Sequence, residues 1–373
     1  MNKTIGIIGG GIVGSTAAYY LTKENQTVTL IDSGVGQATS AAAGIISPWL
    51  SQRRNKEWYF LAKEGAKFYQ KLIHDLSEHQ KTDHVYQQTG TLLYKNTPVL
   101  LEKLKTLAET RKIDAPEIGN VNHLSYSEIK ERISDINMTD DALFVSGGAK
   151  IDGAALTQLL KKEVVRLGNQ SISDVVQSIS YKNKQWEVIT QQDTFIFDQL
   201  ILACGAWIGD LLRPLDYYVD IRPQKGQLIE IKITSDTKNW PVLMPVGETD
   251  IIPFDDGKIL IGATHENDKD YDLSPDKKLL GTLKKEAQNF ISTIDENATV
   301  VGSRVGTRAY TSDFSPFFGE IDTLPQLFVA SGLGSSGLTT GPIIGKTLAD
   351  WTLEKETNFE EYRLKPNQYI YPN

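Results

Sequence analysis

The feature that most constrains this chain lies in its first 32 residues, where two strand patterns flank a glycine-rich turn and a helix. Thr4–Ile8 is short, apolar and ends at the glycine-rich stretch 9–14, GGGIVG. A helical pattern continues over 15–23, and a second strand, Thr27–Ile31, is followed by Asp32. This order of strand, glycine turn, helix, strand and acid predicts a dinucleotide-binding unit.

Each part of the motif has a physical reason. Gly9 permits a tight turn, Gly11 lets a pyrophosphate approach the backbone, and Gly14 lets the helix lie close to the strand. The helix N-terminus would bind the diphosphate, and Asp32 would accept hydrogen bonds from a ribose. The motif does not separate FAD from NAD, and a glycine-rich turn of another α/β fold is the alternative. The expected cofactor contacts are Gly9, Gly11, Ile12, Val13, Gly14, Asp32 and Ser33.

Composition excludes several classes of function. The chain has 373 residues, a formal net charge of -8 and no dense run of Lys or Arg, so we expect no nucleic-acid partner. The single cysteine, Cys204, rules out a disulfide framework within the chain and a cysteine-based zinc site, and the histidines show no metal-ligand spacing. We therefore expect no metal site and a reducing, cytoplasmic location, or one peripheral to a membrane.

Two apolar segments could be mistaken for targeting or membrane segments. Glycines interrupt the apolar N-terminus, and Pro342 and Lys346 interrupt the apolar stretch 327–349, so neither a signal peptide nor a membrane span is expected.

A loop of small residues follows the second strand. Residues 36–48 read GQATSAAAGIISP. Small side chains let the backbone approach a flat ring closely, although a flexible loop is an alternative interpretation.

Together, GGGIVG and ATSAAAGIISP resemble the glycine oxidase and D-amino-acid oxidase/dehydrogenase family of flavoproteins. The resemblance implies that the first motif holds the FAD diphosphate. It also implies that Ser40 contacts the diphosphate region. The residues implied to lie beside the flavin are Ala42, Ala43, Gly44 and Ile45.

Two later segments extend the resemblance. Residues 200–207, LILACGAW, match a family element at the end of a strand facing FAD, while Cys204 itself is expected to be a small buried residue. Residues 327–349 match the family's last strand and helix, whose N-terminus points at the pyrimidine edge of the flavin. The residues implied to bind the cofactor here are Val176, Ala203, Gly205, Trp207, Gly334, Ser335, Ser336, Gly337 and Leu338.

The segment 302–319, GSRVGTRAYTSDFSPFFG, resembles the family element whose arginine binds the substrate carboxylate. The match, which Thr311, Asp313, Pro316 and Gly319 complete, points to Arg308 rather than to Arg304 four residues upstream. An arginine suits this role because its guanidinium can bind a carboxylate through two parallel hydrogen bonds. A surface ion pair is the alternative for Arg308. The sarcosine oxidase branch of the family attaches FAD covalently to a cysteine. This chain has Arg308 at the matching position, so noncovalent FAD is expected.

One departure from the family concerns the substrate pocket. Glycine oxidases carry a tyrosine where this chain has Asp250, so the aromatic residue that helps to fix the carboxylate is absent there. Tyr271 or Tyr310 is a candidate substitute. Tyr310 and His265 are further candidates for catalytic residues.

The implied fold is α/β: a Rossmann-type FAD-binding domain with an interleaved α+β substrate domain built on an antiparallel sheet. We assign 1–85, 143–215 and 300–373 to the FAD-binding domain, and 86–142 and 216–299 to the substrate domain.

The implied reaction is FAD-dependent oxidation of a small amino acid or N-substituted glycine, by hydride transfer from the carbon next to nitrogen to flavin N5. Oxygen or a quinone would reoxidise the flavin, and a homo-oligomer is compatible with the sequence. The alternatives are an NAD(P)-dependent dehydrogenase, a flavoprotein acting on another amine or a modified tRNA base, and a flavin-binding protein without catalytic activity.

Overall fold

The first three elements of the computed structural model, which describes residues 3–53, 55–296 and 298–373, have the predicted order. They are β1 (Thr4–Ile8), α1 (Ile12–Lys23) and β2 (Thr27–Ile31). The two strands pair in parallel, as a connection through a helix requires. The predicted strand–turn–helix–strand unit is confirmed.

The remaining elements follow along the chain. The segment up to residue 151 forms α2 (Ala38–Ala41), β3 (Ile45–Ile46), α3 (Lys56–Ser77), β4 (Tyr86–Gln87), β5 (Thr91–Leu93), α4 (Pro98–Lys112), β6 (Val121–Leu124), α5 (Tyr126–Arg132), β7 (Ala142–Val145) and β8 (Ala149–Ile151). The next segment forms α6 (Gly153–Arg166), β9 (Gln170–Ile172), β10 (Val176–Lys182), β11 (Gln185–Thr190), β12 (Thr194–Phe197), β13 (Gln199–Leu202), α7 (Ile208–Leu212) and β14 (Tyr217–Val219). The last part forms β15 (Arg222–Lys232), β16 (Val242–Met244), β17 (Asp250–Pro253), β18 (Lys258–Gly262), α8 (Lys277–Gln288), β19 (Thr299–Tyr310), β20 (Phe317–Glu320), β21 (Leu327–Ser331), α9 (Gly337–Thr352) and β22 (Ile370–Pro372).

A six-stranded sheet of order β20-β21-β13-β1-β2-β9 is covered on both faces. Its neighbouring strands are parallel, except that β20 runs antiparallel to β21. The helices α1, α3, α6 and α9 pack together on one face, and the small sheet β10-β11-β12 covers the other. A parallel sheet needs such double coverage because its strands are apolar on both faces.

The second large sheet has the order β19-β15-β18-β17-β16-β5-β7-β6. Its neighbouring strands are antiparallel, except for the parallel pair β16 and β5. One face packs on α8 through apolar side chains such as Ile231 and Ile261. The opposite face packs near the small-residue loop through Leu228, Ile252 and Leu260. The sheet therefore lies between a helix and the loop expected to contact the flavin.

Three further sequence patterns predict a hairpin across 255–257, an amphipathic helix over about 57–77 and a helix capped by Asp152, and all three are confirmed. The hairpin of β17 and β18 turns at Asp255–Gly257, the amphipathic helix is α3, and the Asp152 carboxylate caps α6 by accepting from the N–H groups of Ala154 and Ala155. The sequence pattern over 98–135 predicts short helices, of which α4 and α5 are present, but the strand β6 lies between them and was not predicted. That strand has only four residues, two of them exposed, so its apolar pattern is weak.

The α/β fold class with an antiparallel second sheet is confirmed. The boundaries at 143 and 300 would place β7 and β19 with the FAD-binding segments, whereas both strands pair within the second sheet. The division into two domains stays a prediction. Within the described ranges, no helix is both long and apolar enough to span a membrane.

Candidate functional site

A cavity of about 460 Å³ opens where β1, β2 and β13 end. The carboxyl edge of a parallel sheet is where ligands of doubly wound folds bind. The predicted cofactor residues that line this cavity are Gly9, Gly11, Ile12, Val13, Asp32, Ser33, Val176, Ala203, Gly205, Trp207, Gly334 and Gly337.

The glycine turn is close-packed. Gly9 has a φ of 100°, and a Cβ there would lie 2.4 Å from the carbonyl oxygen of Ala203. Gly14 does not line the cavity, but a Cβ on it would lie 1.9 Å from the carbonyl oxygen of Gly9. Helix α1 can approach the end of β1 only because these positions lack side chains.

The Asp32 carboxylate lies beside this turn. It accepts hydrogen bonds from Lys161 Nζ at 2.7 Å and from Gln37 Nε2 at 2.6 Å. Burial raises the pKa of Asp32, but the Lys161 ammonium and the hydrogen bonds outweigh it, so the pKa lies below its usual value. The carboxylate is therefore ionised at neutral pH and can accept a hydrogen bond from a ribose hydroxyl group. Sequence reasoning missed Lys161 because α6 brings it to the site from 129 positions away.

Thr39 lies closer to the glycine turn than Ser40 does. Thr39 Oγ1 accepts a hydrogen bond from the N–H of Ile12, the first residue of α1. Ser40 Oγ instead donates to Gln37 Oε1 and lines neither of the two cavities. Contact between Ser40 and the diphosphate stays a prediction. The sequence signal for Thr39 was only its place beside Ser40 in the small-residue loop.

A second cavity of about 470 Å³ adjoins the first, with which it shares Ala38, Thr39, Gly334 and Gly337. Helix α9 begins at its wall, so the positive end of the helix dipole lies at this cavity. The predicted flavin-side residues that line it are Ala42, Ala43, Gly44, Ile45, Gly334, Ser335, Ser336, Gly337 and Leu338.

Tyr310 lies behind the turn that precedes α9 and lines neither cavity. Its hydroxyl accepts a hydrogen bond of 3.1 Å from the N–H of Ser335. Gly334 has a φ of 52°, and a Cβ there would lie 2.1 Å from the Tyr310 ring. Tyr310 therefore packs against this turn and stabilises it, and its side chain does not face either cavity.

Arg308 lies on β19 and faces the second cavity. Its Nη1 donates to Gln224 Oε1 at 3.0 Å and to the carbonyl oxygen of Thr264 at 2.9 Å. Burial lowers the pKa of this guanidinium, and no carboxylate of the described residues forms an ion pair with it. Arg304, by contrast, forms ion pairs with Asp152, at 3.0 Å, and with Glu230. Arg308 is therefore available for an anion, whereas Arg304 is occupied.

His265 also lines the second cavity. Burial and the neighbouring Arg308 lower its pKa, and its Nδ1 lies 3.8 Å from the exposed Glu248 carboxylate. The imidazole is therefore neutral at pH 7. Tyr271 lies outside both cavities, where its hydroxyl donates to the carbonyl oxygen of Ala206.

Asp250 faces the second cavity from β17. Neither a hydrogen bond nor an ion pair to its carboxyl group occurs among the described residues. Burial raises the pKa of Asp250 to about 7. An aspartate thus stands where the family carries a tyrosine, and neither Tyr271 nor Tyr310 enters the cavity in its place.

Cys204 lines the first cavity as a free thiol. Burial raises the pKa of this thiol to about 12, so it stays protonated and is a poor nucleophile at neutral pH.

Comparisons with known proteins agree with this geometry. A family model described as FAD dependent oxidoreductase matches residues 4–351. An oxidoreductase of Bacillus subtilis, named YurR and described as uncharacterized, is 37% identical over 96% of this chain and 97% of its own. A glycine oxidase of Pseudomonas putida is 29% identical, with 92% of each chain covered. The crystal structure of iminodiacetate oxidase from Chelativorans sp. BNC1 is 30% identical and superposes with a TM-score of 0.91, covering 96% of this chain and 98% of the other.

Proposed function

Because this chain belongs to the family of FAD-dependent oxidoreductases, we propose that it oxidises a small amino acid or N-substituted glycine at the carbon next to nitrogen. The observation that carries the proposal is the unpaired Arg308 guanidinium in the cavity beside the small-residue loop. Membership decides between FAD and NAD(P) in favour of FAD, and the protein is an enzyme of the oxidoreductase class.

The residues present fit FAD. The glycine turn leaves room for a diphosphate at the start of α1. Asp32 lines the same cavity, where its carboxylate would accept hydrogen bonds from the ribose hydroxyl groups. The adjoining cavity is walled by small residues and by the N-terminus of α9, which favours negative charge on a ring system. The only cysteine lines the other cavity, so the proposed attachment is noncovalent.

In the proposed reaction, Arg308 binds the substrate carboxylate through its free N–H groups. Gln224 and the Thr264 carbonyl hold the guanidinium in place, so little side-chain freedom is lost on binding. The second sheet forms a wall of the cavity through residues such as Gly226, Gly262 and Met244. When bound, FAD supplies the hydride acceptor, at N5, as the C=N bond forms. Hydrolysis of the imine then releases an oxo acid and ammonia or an amine.

The names of two relatives support this substrate class. Glycine oxidase and iminodiacetate oxidase are both named for amines that carry a carboxylate one carbon away from nitrogen. For this chain we propose the same general class, D-amino acids included, with oxygen or a quinone as the electron acceptor. We also propose a cytoplasmic location, which the single, unpaired cysteine supports.

The decisive experiment mixes the purified yellow protein anaerobically with glycine, sarcosine, iminodiacetate, proline and several D-amino acids. Loss of the visible flavin absorbance with at least one of them is expected. Matched amines that lack the carboxylate serve as controls and should reduce the flavin far more slowly. Equal reduction by amines with and without a carboxylate, or no reduction by any carboxylate-bearing amine, contradicts the proposal. Admission of oxygen or of a quinone then identifies the acceptor.

A further inference from the structure

Asp250 is a partly buried acid without a partner, and it lines the cavity that Arg308 also faces. Burying a carboxyl group without a hydrogen bond is costly, so such a group in a ligand cavity marks a place where a ligand donates. The cavity is lined by other charged or titratable side chains as well, namely Arg53, Lys95, Glu248, His265 and Arg308.

Strand register places Asp250 and Arg308 on one face of the second sheet. Asp250 lies opposite Gly262, which in turn lies opposite Leu228 on β15. Gly226 lies two residues before Leu228, so both positions belong to the same face of β15. A Cβ on Gly226 would lie 2.6 Å from Arg308 Nη1. The guanidinium therefore lies over Gly226, and Gly226, Gly262 and Asp250 all line the second cavity.

The two groups lie at opposite ends of a space of ligand size. β15 and β17 are two strand spacings apart, and Gly226 is offset by two residues along β15, so the backbone positions below the Arg308 guanidinium and the Asp250 carboxyl group are on the order of 12 Å apart. An extended amino acid with a charge-assisted hydrogen bond of about 2.8 Å at each end covers most of this distance. Its carboxylate would be bound by Arg308, and its ammonium would lie next to Asp250.

We propose that Asp250 is a catalytic residue that binds the substrate ammonium and accepts a proton from its nitrogen before the carbon is oxidised. The N–H bond breaks, an O–H bond forms on Asp250, and the electron pair of the broken bond stays on nitrogen. That pair forms the C=N bond when the hydride leaves the adjacent carbon for FAD. The proton on Asp250 then returns to solvent through the cavity. This inference rests on the proposed function, which supplies the electron acceptor.

The chemistry requires Asp250 to change protonation state near neutral pH. The pKa of Asp250, raised to about 7, lies closer to the pKa of an amine than the pKa of an ordinary aspartate does. The Asp250 carboxylate is therefore a stronger base than an ordinary aspartate. His265 is a second titratable group at the cavity, and burial and the neighbouring Arg308 lower its pKa below the usual value. The exposed Glu248 is close to His265 at the cavity rim and offers a matched carboxylate for comparison.

The test compares Asp250→Asn with wild type in the pH dependence of kcat/KM. With a substrate whose amine is mostly protonated at neutral pH, wild-type kcat/KM should rise with pH through about 7 and then level off. In Asp250→Asn only the small neutral fraction of the amine can react. Its kcat/KM should therefore fall by about 100-fold or more at pH 7 and recover as pH approaches the pKa of the substrate amine. Glu248→Gln, which removes the same charge at the rim, should keep the wild-type profile.

A binding measurement tests the same residue without turnover. Acetate has the carboxylate but no ammonium, so its affinity for wild type should fall as Asp250 ionises above pH 7 and should not do so in Asp250→Asn. Flavin absorbance reports the binding and also shows that the variant is folded. The inference is overturned if Asp250→Asn keeps the wild-type pH profile, if its activity falls equally at every pH, or if acetate binding depends on pH equally in both proteins. Failure of every amine to reduce the wild-type flavin refutes the proposed function instead, and the acetate titration still decides whether Asp250 faces the carboxylate site.

Discussion

Lys161 Nζ lies 2.7 Å from Asp32 Oδ2, so the acid that closes the dinucleotide motif carries a cationic partner from α6. A Cβ on Gly10 would lie 2.7 Å from both atoms, which shows how closely the turn, the acid and the amine pack. Because the ammonium and Gln37 hold the carboxylate in one orientation, Asp32 presents a fixed acceptor to the first cavity, where we propose that it binds the ribose.

Asp32→Ala should weaken FAD binding by about 10-fold to 100-fold, since a hydrogen bond to a charged acceptor is worth about 1.5–3 kcal/mol. The variant also leaves the Lys161 ammonium without its carboxylate. The ratio of flavin to protein after dialysis measures the effect. Lys161→Met keeps the acid and should cause a smaller loss. Full FAD occupancy of dialysed Asp32→Ala would show that this carboxylate does not bind the ribose.

Arg308→Ala should raise KM for carboxylate-bearing substrates by at least about 100-fold, because two charge-assisted hydrogen bonds are lost. The protein should stay yellow, since Arg308 lines only the second cavity. Steady-state kinetics with the substrate found in the anaerobic panel provide the measurement.

Arg304→Ala is the matched control, four residues away on the same strand. Arg304 forms ion pairs with both Asp152 and Glu230. Its removal should therefore lower the free energy of unfolding by about 3–5 kcal/mol, while KM changes little. The opposite result, with KM raised by Arg304→Ala and unchanged by Arg308→Ala, would show that Arg304 binds the carboxylate.

The stability of wild type relative to Asp250→Asn should depend on pH. The pKa of Asp250 in the folded protein, about 7, is raised above its value in the unfolded chain. The folded protein is therefore fully stable with respect to this group below the unfolded pKa, where the group is protonated in both states, and it loses stability as pH rises toward 7. The advantage of Asp250→Asn should therefore grow by up to about 3 kcal/mol between pH 5 and pH 8. Urea unfolding of both holoproteins at the two pH values measures it, and a constant difference would contradict the raised pKa.

Local patterns made the cofactor end of the chain predictable. The glycine turn, α1, Asp32 and the start of α9 each follow from residues close in sequence, because strand period, helix period and glycine placement are local properties. The small-residue loop and Arg308 came from a resemblance, and the structure brings both to one cavity.

Contacts between distant segments could not be predicted in the same way. Lys161 reaches Asp32 across 129 positions, and Tyr310 supports the turn at Ser335 from another sheet. No spacing rule relates such pairs, since they depend on how α6 and β19 pack against the first sheet. The departure at Asp250 was visible in the sequence, but its lack of a partner appeared only once the surrounding strands were placed.

Gly334→Ala should destabilise the turn before α9 and reduce FAD occupancy. The residue has a φ of 52°, and an added Cβ would lie 2.1 Å from the Tyr310 ring, so both backbone strain and a clash are expected. A loss of about 1–3 kcal/mol in unfolding free energy is expected, together with a lower ratio of flavin to protein. Gly281→Ala is the control, because this glycine lies in α8 with nothing within 4 Å of an added Cβ. That substitution should stabilise the protein by about 0.5–1 kcal/mol and leave FAD binding unchanged, since alanine is the better helix former. If both variants behave alike, the close contact between Gly334 and Tyr310 does not constrain the flavin site.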